Sequence, residues 1–469
     1  MFSFSRKNTT FAGNINKMTT LPSRFVQEMQ ALLGNEYPDF AAALAEKSPV
    51  SIRLNPLKAT LHLPPLPGAG EASTLKASKV PWCQNGYYLE SRPSFTADPL
   101  FHAGVYYVQE ASSMYIEQII RQYITEPAVC LDVCAAPGGK STHLLDVLPP
   151  GSLLVANEVI RSRAHILAEN LIKWGNPATI VTQNDPGDMK QLKHSFDVML
   201  VDAPCSGEGM FRKNPQAVHE WSPAHVALCA ARQQRIVADV WPALKPGGLL
   251  IYSTCTFNTK ENEENIQWMT NTFGAEPLTV ERFFPHRVRG EGLFIAALRK
   301  PAETTFATTT AHDRQNRKPK QNPPIPPQIY HWIESPEQYD FHLIHPNITA
   351  IPQAHGALYR LVGSKLHVLS AGISTAGIKG KDLIPHHALA MSVALNRKAF
   401  PVYETDEATA IRYLAKEAIF TLPPELPKSY ILLTYRNRPL GFVKNIGNRA
   451  NNMYPQEWRI KSEYFREKQ

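Results

Sequence analysis

The sequence predicts an α/β fold: a parallel sheet covered by helices on both faces, with a small N-terminal α/β module and a C-terminal β module. Three observations predict this architecture. From about residue 128 to residue 300, continuous apolar segments alternate with helical ones, as expected of parallel strands buried on both faces. A glycine turn joins the first of these strands to a helix. Between Tyr430 and Tyr454, apolar segments flank an Asn-containing turn, a pattern typical of antiparallel strands.

The composition indicates a globular, soluble protein. The chain has 469 residues, of which 43% are hydrophobic and 19% charged. No apolar run is long enough to cross a bilayer, so we expect a cytoplasmic protein without a membrane anchor. The net charge of +8 is a modest basic excess that would suit a polyanionic partner. None of the six cysteines forms a C-x-x-C pair, so we predict no metal site, no disulfide framework and a reducing compartment.

The N-terminal region, residues 18–105, is predicted to form the small α/β module. Its helical and strand-like segments are residues 21–33, 37–46, 51–58, 80–90 and the start of 104–120, which enters a helix near Gln109. The segment 51–58 alternates apolar and polar residues, which predicts a strand with a basic face. Residues 1–17 are polar and basic, and we expect either a disordered tail or a segment upstream of a start at Met18.

The central region, residues 106–300, carries the alternation of strands and helices. The predicted strands are residues 128–133, 153–157, 179–183, 196–201 and 248–253. The predicted helices are residues 140–148, 162–174, 223–244 and 261–273. Gly175 and the Pro-Gly-Gly at 246–248 are expected to end the second and third helices. A late apolar segment at 293–298 predicts a further strand at an antiparallel edge of the sheet.

The C-terminal half begins with a segment, residues 301–328, that is rich in Thr, Pro, Lys and Asn and is predicted to be a linker. Residues 329–395 show short strand signals and are predicted to form a middle module. Residues 396–469 are predicted to form the β module, in which bases lie among aromatic residues: Arg436, Arg438, Lys444 and Arg449 among Tyr435, Phe442 and Tyr454. This mixture favours RNA binding, and the solvated face of an ordinary β-barrel explains it equally well.

A cofactor site is predicted at the first strand-to-helix turn, which has the sequence CLDVCAAPGGK at 130–140. A glycine turn lets backbone approach a ligand, and the helix N-terminus after it offers free N–H groups. Glu158 ends the second strand, twenty residues after Gly138, which is the spacing of an acid that binds ribose hydroxyls. The G-x-G-x-x-G pattern is incomplete, so a dinucleotide is disfavoured, and a turn that binds nothing remains the alternative. Asp185, after the third strand, could accept a hydrogen bond from an adenine amino group or could cap a helix.

Two cysteines follow neighbouring predicted strands. Cys205 lies in the loop DAPCSGEG at 202–209, and Cys255 lies in STCT at 253–256. Because the carboxyl ends of parallel strands meet at one edge of a sheet, we expect both thiols to face one pocket. Methylation of carbon-5 of a pyrimidine requires such a pair beside a nucleoside-like cofactor. One thiolate adds to carbon-6 and makes carbon-5 nucleophilic, an acid near N3 stabilises the adduct, and a second acid–base group removes the carbon-5 proton.

The motifs resemble those of the RNA 5-methylcytosine methyltransferase family over residues 51–300: CLDVCAAPGGK, ANE, ND, VDAPCSGEGMFRKNP and KPGGLLIYSTCTFNTKENEENI. The pairing of DAPCSGEG with STCT is highly specific. The segments IRLNPLK and PWC, and the tail PLGFVKNIGNRANNMYP, are most similar to the bacterial members that act on 16S ribosomal RNA. The resemblance implies a Rossmann-like S-adenosylmethionine methyltransferase core, an N-terminal module that binds RNA and a C-terminal PUA-like module that binds RNA.

The resemblance also implies roles for individual residues. S-adenosylmethionine would be held by Cys134, Ala135, Ala136, Pro137, Gly138, Gly139, Lys140, Glu158, Asp185 and Asp202. Cys255 would attack carbon-6, Cys205 would remove the proton and release the product, and Asp202 would lie between cofactor and cytosine. The residues alone do not order the two thiols, because DNA cytosine methyltransferases use the Pro-Cys thiol as the nucleophile. Arg163 and Lys213 would contact cofactor or RNA phosphate.

The predicted activity is therefore methylation of cytosine carbon-5 in 16S ribosomal RNA of the small subunit, with S-adenosylmethionine as cofactor, by a monomer. A tRNA substrate is an alternative within the same chemistry. A non-catalytic RNA-binding factor for ribosome assembly is an alternative of another class, and the presence of both thiols and all three acids argues against it. A nicotinamide enzyme is disfavoured because its glycine pattern is missing.

Overall fold

The computed structural model describes residues 20–59, 77–302, 324–418 and 422–461. The segment 1–17 and most of the predicted linker at 301–328 lie outside these ranges. The helices, in chain order, are α1 (Ser23–Leu33), α2 (Tyr37–Ala45), α3 (Pro99–His102), α4 (Ile116–Tyr123), α5 (Gly139–Val147), α6 (Arg161–Trp174), α7 (Pro215–Glu220), α8 (Pro223–Val240), α9 (Glu263–Phe273), α10 (Pro327–His331), α11 (Gly356–Lys365), α12 (His387–Met391) and α13 (Glu407–Leu414).

The strands, in chain order, are β1 (Val50–Leu54), β2 (Ala77–Lys79), β3 (Gly86–Leu89), β4 (Tyr106–Val108), β5 (Val129–Asp132), β6 (Leu153–Asn157), β7 (Thr179–Thr182), β8 (Phe196–Asp202), β9 (Leu244–Thr254), β10 (Glu276–Phe283), β11 (Leu293–Arg299), β12 (Tyr339–Ile344), β13 (Asn347–Pro352), β14 (Val368–Ala371), β15 (Ile373–Lys379), β16 (Asp382–Pro385), β17 (Val402–Glu404), β18 (Tyr430–Tyr435), β19 (Arg438–Asn445) and β20 (Ala450–Asn452).

The N-terminal module consists of α1, α2 and a four-stranded antiparallel sheet in the order β2-β3-β1-β4. Helix α1 buries Phe25, Met29 and Leu33, which recur every four residues and so share one face. This face packs on the central domain, because the Phe25 ring lies 5.1 Å from Phe211 and 5.7 Å from Trp221 between centroids. Since β4 is hydrogen-bonded to β1, the boundary predicted at residue 105 divides this sheet, and residues 106–108 belong with the N-terminal module.

The basic face predicted for strand β1 is wrong for Arg53, whose side chain is fully buried. Its guanidinium pairs with Asp146 on α5 and donates to Gln109 Oε1 at 2.8 Å. It also stacks on Trp174, with 4.5 Å between the guanidinium carbon and the ring centroid. A charge can be buried only with partners of this kind. Arg53 therefore joins the N-terminal sheet to the helices of the central domain.

An eight-stranded sheet in the order β10-β11-β9-β8-β5-β6-β7-β14 forms the central domain. Strands β9, β8, β5, β6 and β7 run parallel, as predicted, and their apolar side chains pack under helices on both faces. The chain passes from β5 to β6 and β7 on one side and returns to β8 and β9 on the other. Ligands bind at the carboxyl ends of the strands beside such a switch point, so the loops after these five strands define the candidate site.

The two edges of this sheet differ from the prediction. The segment predicted as an edge strand is β11, which lies one strand inside the edge, paired antiparallel with β9 on one side and β10 on the other. Strand β10 is mostly polar and solvent-facing, so it lacks the apolar pattern from which a strand is predicted. At the other edge β14 pairs antiparallel with β7, so a strand of the predicted middle module extends the central sheet.

The C-terminal half contains two further four-stranded sheets, β12-β13-β15-β16 and β17-β18-β19-β20. Strands β18 and β19 form the predicted hairpin, and its two turn residues, Arg436 and Asn437, have φ of 46° and 60°. Positive φ at both positions is the requirement of a two-residue type I′ turn. Across the residues that the structure describes, no helix combines the length and the apolar character that a membrane span needs.

Candidate active site

The loop after β5 carries most of the predicted cofactor residues and leads into α5, which begins at Gly139. Gly138 has a φ of +114°, in the left-handed region that favours glycine. The Ala136–Pro137 peptide bond is cis. This turn places the N-terminus of α5 at the carboxyl edge of the sheet. The first N–H groups of α5 are thus available to an anionic ligand group.

Glu158 lies directly after β6 and is buried, as the cofactor prediction requires of an acid inside a cleft. Its Oε1 accepts a hydrogen bond from the Ile160 N–H at 2.9 Å, and its Oε2 lies 3.4 Å from Arg163 Nη1. Arg163 also donates to the Ala136 carbonyl at 2.7 Å. Arg163 therefore links the acid after β6 to the glycine loop after β5, and the structure brings these predicted residues together.

Asp185 begins the turn after β7, where its Oδ1 accepts from the Gly187 N–H at 2.9 Å. This is the cap that the sequence left open as an alternative. The other oxygen lies 4.0 Å from Arg235, and 51% of the side chain is exposed, so an acceptor is still free for a ligand. The neighbouring Asn184 is held by the C-terminal half, because its amide exchanges hydrogen bonds of 3.1 and 3.0 Å with the backbone of His367. Binding of adenine by Asp185 stays a prediction.

The thiols of Cys205 and Cys255 lie 3.2 Å apart. They meet because β8 and β9 are parallel neighbours in register, with Asp202 opposite Ser253, so that each cysteine leaves its strand at the same level. The hydrogen bond between the two thiols and burial raise the pKa of Cys205. Cys205 is thus held as a protonated thiol beside Cys255. The expectation that both thiols face one pocket agrees with this geometry.

Asp202 lies at the end of β8 with both oxygens engaged. Its Oδ2 is 2.8 Å from Lys140 Nζ, and its Oδ1 accepts from the Ser253 hydroxyl at 2.7 Å. Burial opposes the charge of Lys140, but the Asp202 carboxylate outweighs it and raises the lysine pKa. The ion pair connects the cofactor loop to the strand ends that carry the thiols.

Asp132, at the end of β5, adds a fourth acid to this edge. Its Oδ2 accepts from the Ser141 hydroxyl at 2.6 Å, whereas its buried Oδ1 has no hydrogen-bond partner. Burial raises the pKa of Asp132 to about 7. Burial also raises the pKa of the neighbouring Cys134 thiol, so Cys134 offers a neutral side chain and its backbone to the loop.

Sequence reasoning missed the residues that hold these groups in place. Ser253 positions Asp202. Asn157 connects the loops after β5 and β7: its side-chain amide donates to the Val133 carbonyl at 3.2 Å and to the Asn184 carbonyl at 3.0 Å, and its side-chain oxygen accepts from the Asn184 N–H at 3.1 Å. Both lie inside motifs that the sequence analysis quoted, STCT and ANE. A polar residue within an otherwise apolar strand end is the signal that could have identified them, because such a side chain must find a partner when buried.

A separate buried group, Cys83, Glu117 and His143, has side chains that bind metals in other proteins, and its ligand atoms lie within 4.8 Å of one another. Here Glu117 already accepts hydrogen bonds from the Gln84 N–H and Arg121. Burial raises the pKa of Cys83 to about 12 and lowers that of His143 to about 4, so both side chains are neutral. Hydrogen bonds therefore account for the positions of these side chains. The expectation that the chain has no metal site stays a prediction.

Comparison with known proteins identifies the family. Residues 123–299 match the family model described as 16S rRNA methyltransferase RsmB/F. Residues 21–111 match the N-terminal domain of 16S rRNA methyltransferase RsmF, and residues 400–460 match the methyltransferase RsmF PUA domain. The ribosomal RNA small subunit methyltransferase F of Pectobacterium carotovorum is 30% identical over 93% of this chain and 95% of that protein. The chain belongs to the ribosomal RNA small subunit methyltransferase F family.

Solved structures resemble about three fifths of the chain. A methyltransferase homolog from Pyrococcus horikoshii is 27% identical over 60% of this chain and 96% of that chain, with a TM-score of 0.51. NSun6 from Pyrococcus horikoshii, solved with SFG, is 22% identical over 61% of this chain and 100% of that chain, with a TM-score of 0.53, which shows a shared fold. The predicted fold class, with its Rossmann-like methyltransferase core and C-terminal PUA module, is confirmed.

As a member of the methyltransferase F family, the protein is a methyltransferase that uses S-adenosylmethionine, which confirms the predicted cofactor. The acceptors in the cleft fit this molecule. It carries an ammonium and a sulfonium, which favour nearby carboxylates, ribose hydroxyls that need acceptors, and a carboxylate that a helix N-terminus can bind. Asp132, Glu158 and Asp202 end three strands at this edge, and Asp132 retains an unused buried acceptor.

Proposed function

We propose that this protein methylates carbon-5 of cytosine in 16S ribosomal RNA through a covalent bond between Cys255 and carbon-6 of the base. The observation that carries the proposal is the distance of 3.2 Å between the Cys205 and Cys255 thiols at the carboxyl edge of a methyltransferase sheet. Methyl transfer to oxygen or nitrogen needs no thiol pair. Carbon-5 of a cytosine is a weak nucleophile until a thiolate has added to carbon-6, and the second thiol supplies the acid–base group that later removes the carbon-5 proton.

In this proposal the loop Cys134–Lys140 would hold the cofactor, Glu158 would bind its ribose and Asp185 would bind its adenine. When bound, S-adenosylmethionine supplies an electrophilic methyl group on its sulfonium. The chain orients the cofactor through the N-terminus of α5 and through Arg163. Arg163 Nη1 lies 3.4 Å from Glu158 Oε2 and so fixes Glu158 against the glycine loop. Asp132 adds an acceptor for the cofactor ammonium, because its Oδ1 is buried and unpartnered.

The reaction proceeds in steps that assign each group a task. The Cys255 thiolate forms a bond to carbon-6, and Lys140, held by Asp202 at 2.8 Å, stabilises the electron density that moves onto N3. Carbon-5 would then accept the methyl group, and the sulfonium would be left as a neutral thioether. Once Cys255 is bonded to carbon-6, Cys205 gives its own proton to solvent; as a thiolate it removes the carbon-5 proton, the carbon-6–sulfur bond breaks, and Cys255 is released as a thiolate. The raised pKa of Cys205 suits a group that ends the step protonated.

In this proposal the two flanking modules bind the RNA. The target base is flipped out of its stack into the pocket. The hairpin of β18 and β19 presents Arg436 at its exposed turn and the half-buried Arg438 at the start of β19, and Lys444 packs over Tyr430 at 5.1 Å from the ring centroid. Arginines and aromatic rings on one hairpin are suited to phosphates and unstacked bases. Affinity should therefore fall as salt rises, because bound phosphates release counterions.

The proposal is tested by offering labelled S-adenosylmethionine to the purified protein with unmodified 16S ribosomal RNA, assembled small subunits or tRNA. We expect label in 5-methylcytosine from a ribosomal substrate and none from the Cys255→Ser variant. Label on tRNA alone would mean that tRNA is the substrate and would leave the proposed chemistry unchanged. Full methyl transfer by Cys255→Ser would refute the nucleophile, and no transfer to any RNA by a protein that binds the cofactor would favour the non-catalytic assembly factor.

A further inference from the structure

Two buried glutamates connect the loop that carries Cys205 to the segment that carries Cys255. We call these two segments the thiol loops. Glu208 lies three residues after Cys205, and Glu261 lies six residues after Cys255. Both side chains are fully buried, and their hydrogen-bond partners are residues of the two thiol loops, Trp221 before α8 and Gln233 on α8. Neither bonds to the cofactor loop, so each is a buried carboxyl group that the proposed mechanism does not use.

Glu208, from the loop of Cys205, binds the segment that follows Cys255. Its Oε2 accepts from the backbone N–H groups of Phe257 at 2.7 Å and Asn258 at 3.0 Å. Its Oε1 accepts from Trp221 Nε1 at 2.9 Å and from the Asn258 side-chain amide at 3.0 Å. All four donors are N–H groups, so the full set of contacts suits a carboxylate and no neutral amide or acid can accept all of them.

Glu261, from the segment after Cys255, binds the loop of Cys205 in return. Its Oε2 accepts from the Ser206 backbone N–H at 3.0 Å and from Gln233 Nε2 at 2.7 Å. Its Oε1 accepts from the Asn258 amide at 2.8 Å. Ser206 is the residue directly after Cys205, so this contact fixes the backbone at the thiol itself.

The two contacts form a reciprocal arrangement in which each thiol loop supplies the carboxylate that holds the other. Asn258 connects both carboxylates through one side-chain amide. Two neutral contacts accompany them: the Gly209 N–H donates to the Cys255 carbonyl at 2.9 Å, and the Ser206 and Thr256 hydroxyls lie 2.9 Å apart. Charge-assisted hydrogen bonds to backbone N–H groups are strong and directional, so they can define the position of a loop to a fraction of an ångström.

We propose that Glu208 and Glu261 are positioning residues that set the separation of the Cys205 and Cys255 thiols. Their role in cytosine methylation rests on the proposed function, whereas their effect on thiol geometry does not. In the reaction the second thiol must reach the carbon-5 proton of a base held by the first, and displacement of either loop by about 1 Å is enough to slow such a step.

The thiol separation can be measured without RNA or cofactor by binding of phenylarsine oxide to the full-length protein. The reagent forms two arsenic–sulfur bonds with a thiol pair, the two thiol protons leave with its oxygen as water, and arsenic stays trivalent. We expect the wild type to bind one equivalent and Cys255→Ser to lose that binding. Glu208→Gln and Glu261→Gln should bind at least tenfold more weakly, because a glutamine amide presents N–H groups to backbone N–H donors.

Asp98→Asn is the matched control. Asp98 is also a buried carboxylate that accepts from a backbone N–H, that of Leu100 at 2.9 Å, but it lies in the N-terminal module. It should reduce stability and leave arsenical affinity at the wild-type value. If a glutamine variant does not fold, Asn258→Ala removes the amide between the carboxylates and should weaken arsenical binding in the same direction. Wild-type affinity in the folded glutamate variants, or an equal loss in Asp98→Asn, would overturn the proposal.

A second readout connects the arrangement to the reaction. With RNA and S-adenosylmethionine, the folded glutamate variants should retain more protein–RNA adduct at the end of turnover than the wild type, because Cys205 no longer reaches the carbon-5 proton. Loss of arsenical binding without any cytosine methylation in the wild type would refute the proposed function and leave the positioning role intact. Methylation with wild-type adduct release in both variants would refute the positioning role and leave the function intact.

Discussion

Lys140 Nζ lies 2.8 Å from Asp202 Oδ2, and this ion pair joins the loop that holds the cofactor to the strand end beside the two thiols. Lys140 is the second residue of α5, and Asp202 ends β8, so neither the helix nor the strand can shift without breaking the ion pair. The pair places a cation and a carboxylate where cofactor, cytosine and Cys255 must meet in the proposed reaction.

Replacing Lys140 by methionine should lower kcat for methyl transfer by about 100-fold or more, because a preorganised charge that stabilises the adduct is lost. Steady-state kinetics with RNA and S-adenosylmethionine measure the effect, and the exposed Lys193→Met serves as control. A variant whose kcat equals that of the wild type, with only KM for the cofactor raised, would limit Lys140 to cofactor binding.

Replacing Cys205 by alanine should trap the enzyme on its RNA. Cys255 can still add to carbon-6 and the methyl group can still move, but the carbon-5 proton has no base to remove it, so the carbon–sulfur bond persists. Denaturing electrophoresis should show a protein–RNA species that depends on the cofactor. Cys229→Ala, a buried cysteine on α8, should show none, and normal release of methylated RNA by Cys205→Ala would assign proton removal to another group.

Replacing Arg53 by methionine should destabilise the protein by about 3–5 kcal/mol, because Asp146 would be left buried without its charged partner. Arg24→Met is the control: Arg24 is 63% exposed in its pair with Glu28, and exposed pairs of this kind contribute about 1 kcal/mol or less. Urea denaturation followed by tryptophan fluorescence reports both. Equal shifts in the two variants would mean that the buried pair contributes no more than the exposed one.

The contribution of Asp132 to the stability of the cofactor-free protein should fall as pH rises toward neutrality. Burial raises the pKa of Asp132 from 3.8 to about 7, so the folded state keeps a proton that the unfolded state releases. The stabilisation from Asp132 is thus complete below about pH 4 and is lost as pH rises to about 7. The difference in melting temperature between pH 5 and pH 8 should be smaller for Asp132→Asn than for the wild type or for the exposed control Asp39→Asn. An unchanged difference in Asp132→Asn would contradict the prediction.

The sequence predicted the parallel strands, the hairpin at the C-terminus and the glycine turn between β5 and α5 because each depends on local chemistry. Apolar runs, glycine turns and strand-end acids follow from near neighbours in the chain. It failed for β10, whose polar sequence forms a strand only because β11 offers a partner, and for Arg53, which a local pattern places on a basic face although partners from α5 and α6 bury it.

By itself the sequence determined the set of reactive groups: two thiols, three strand-end acids and a lysine at the start of a helix. Only the tertiary structure decided that Cys205 and Cys255 lie 3.2 Å apart and that Glu208 and Glu261 each hold the loop of the other thiol. The physical reason is separation along the chain. Cys205 and Cys255 are fifty positions apart in the chain and are brought together by the register of two parallel strands, and a register is a property of the whole sheet that no local pattern encodes.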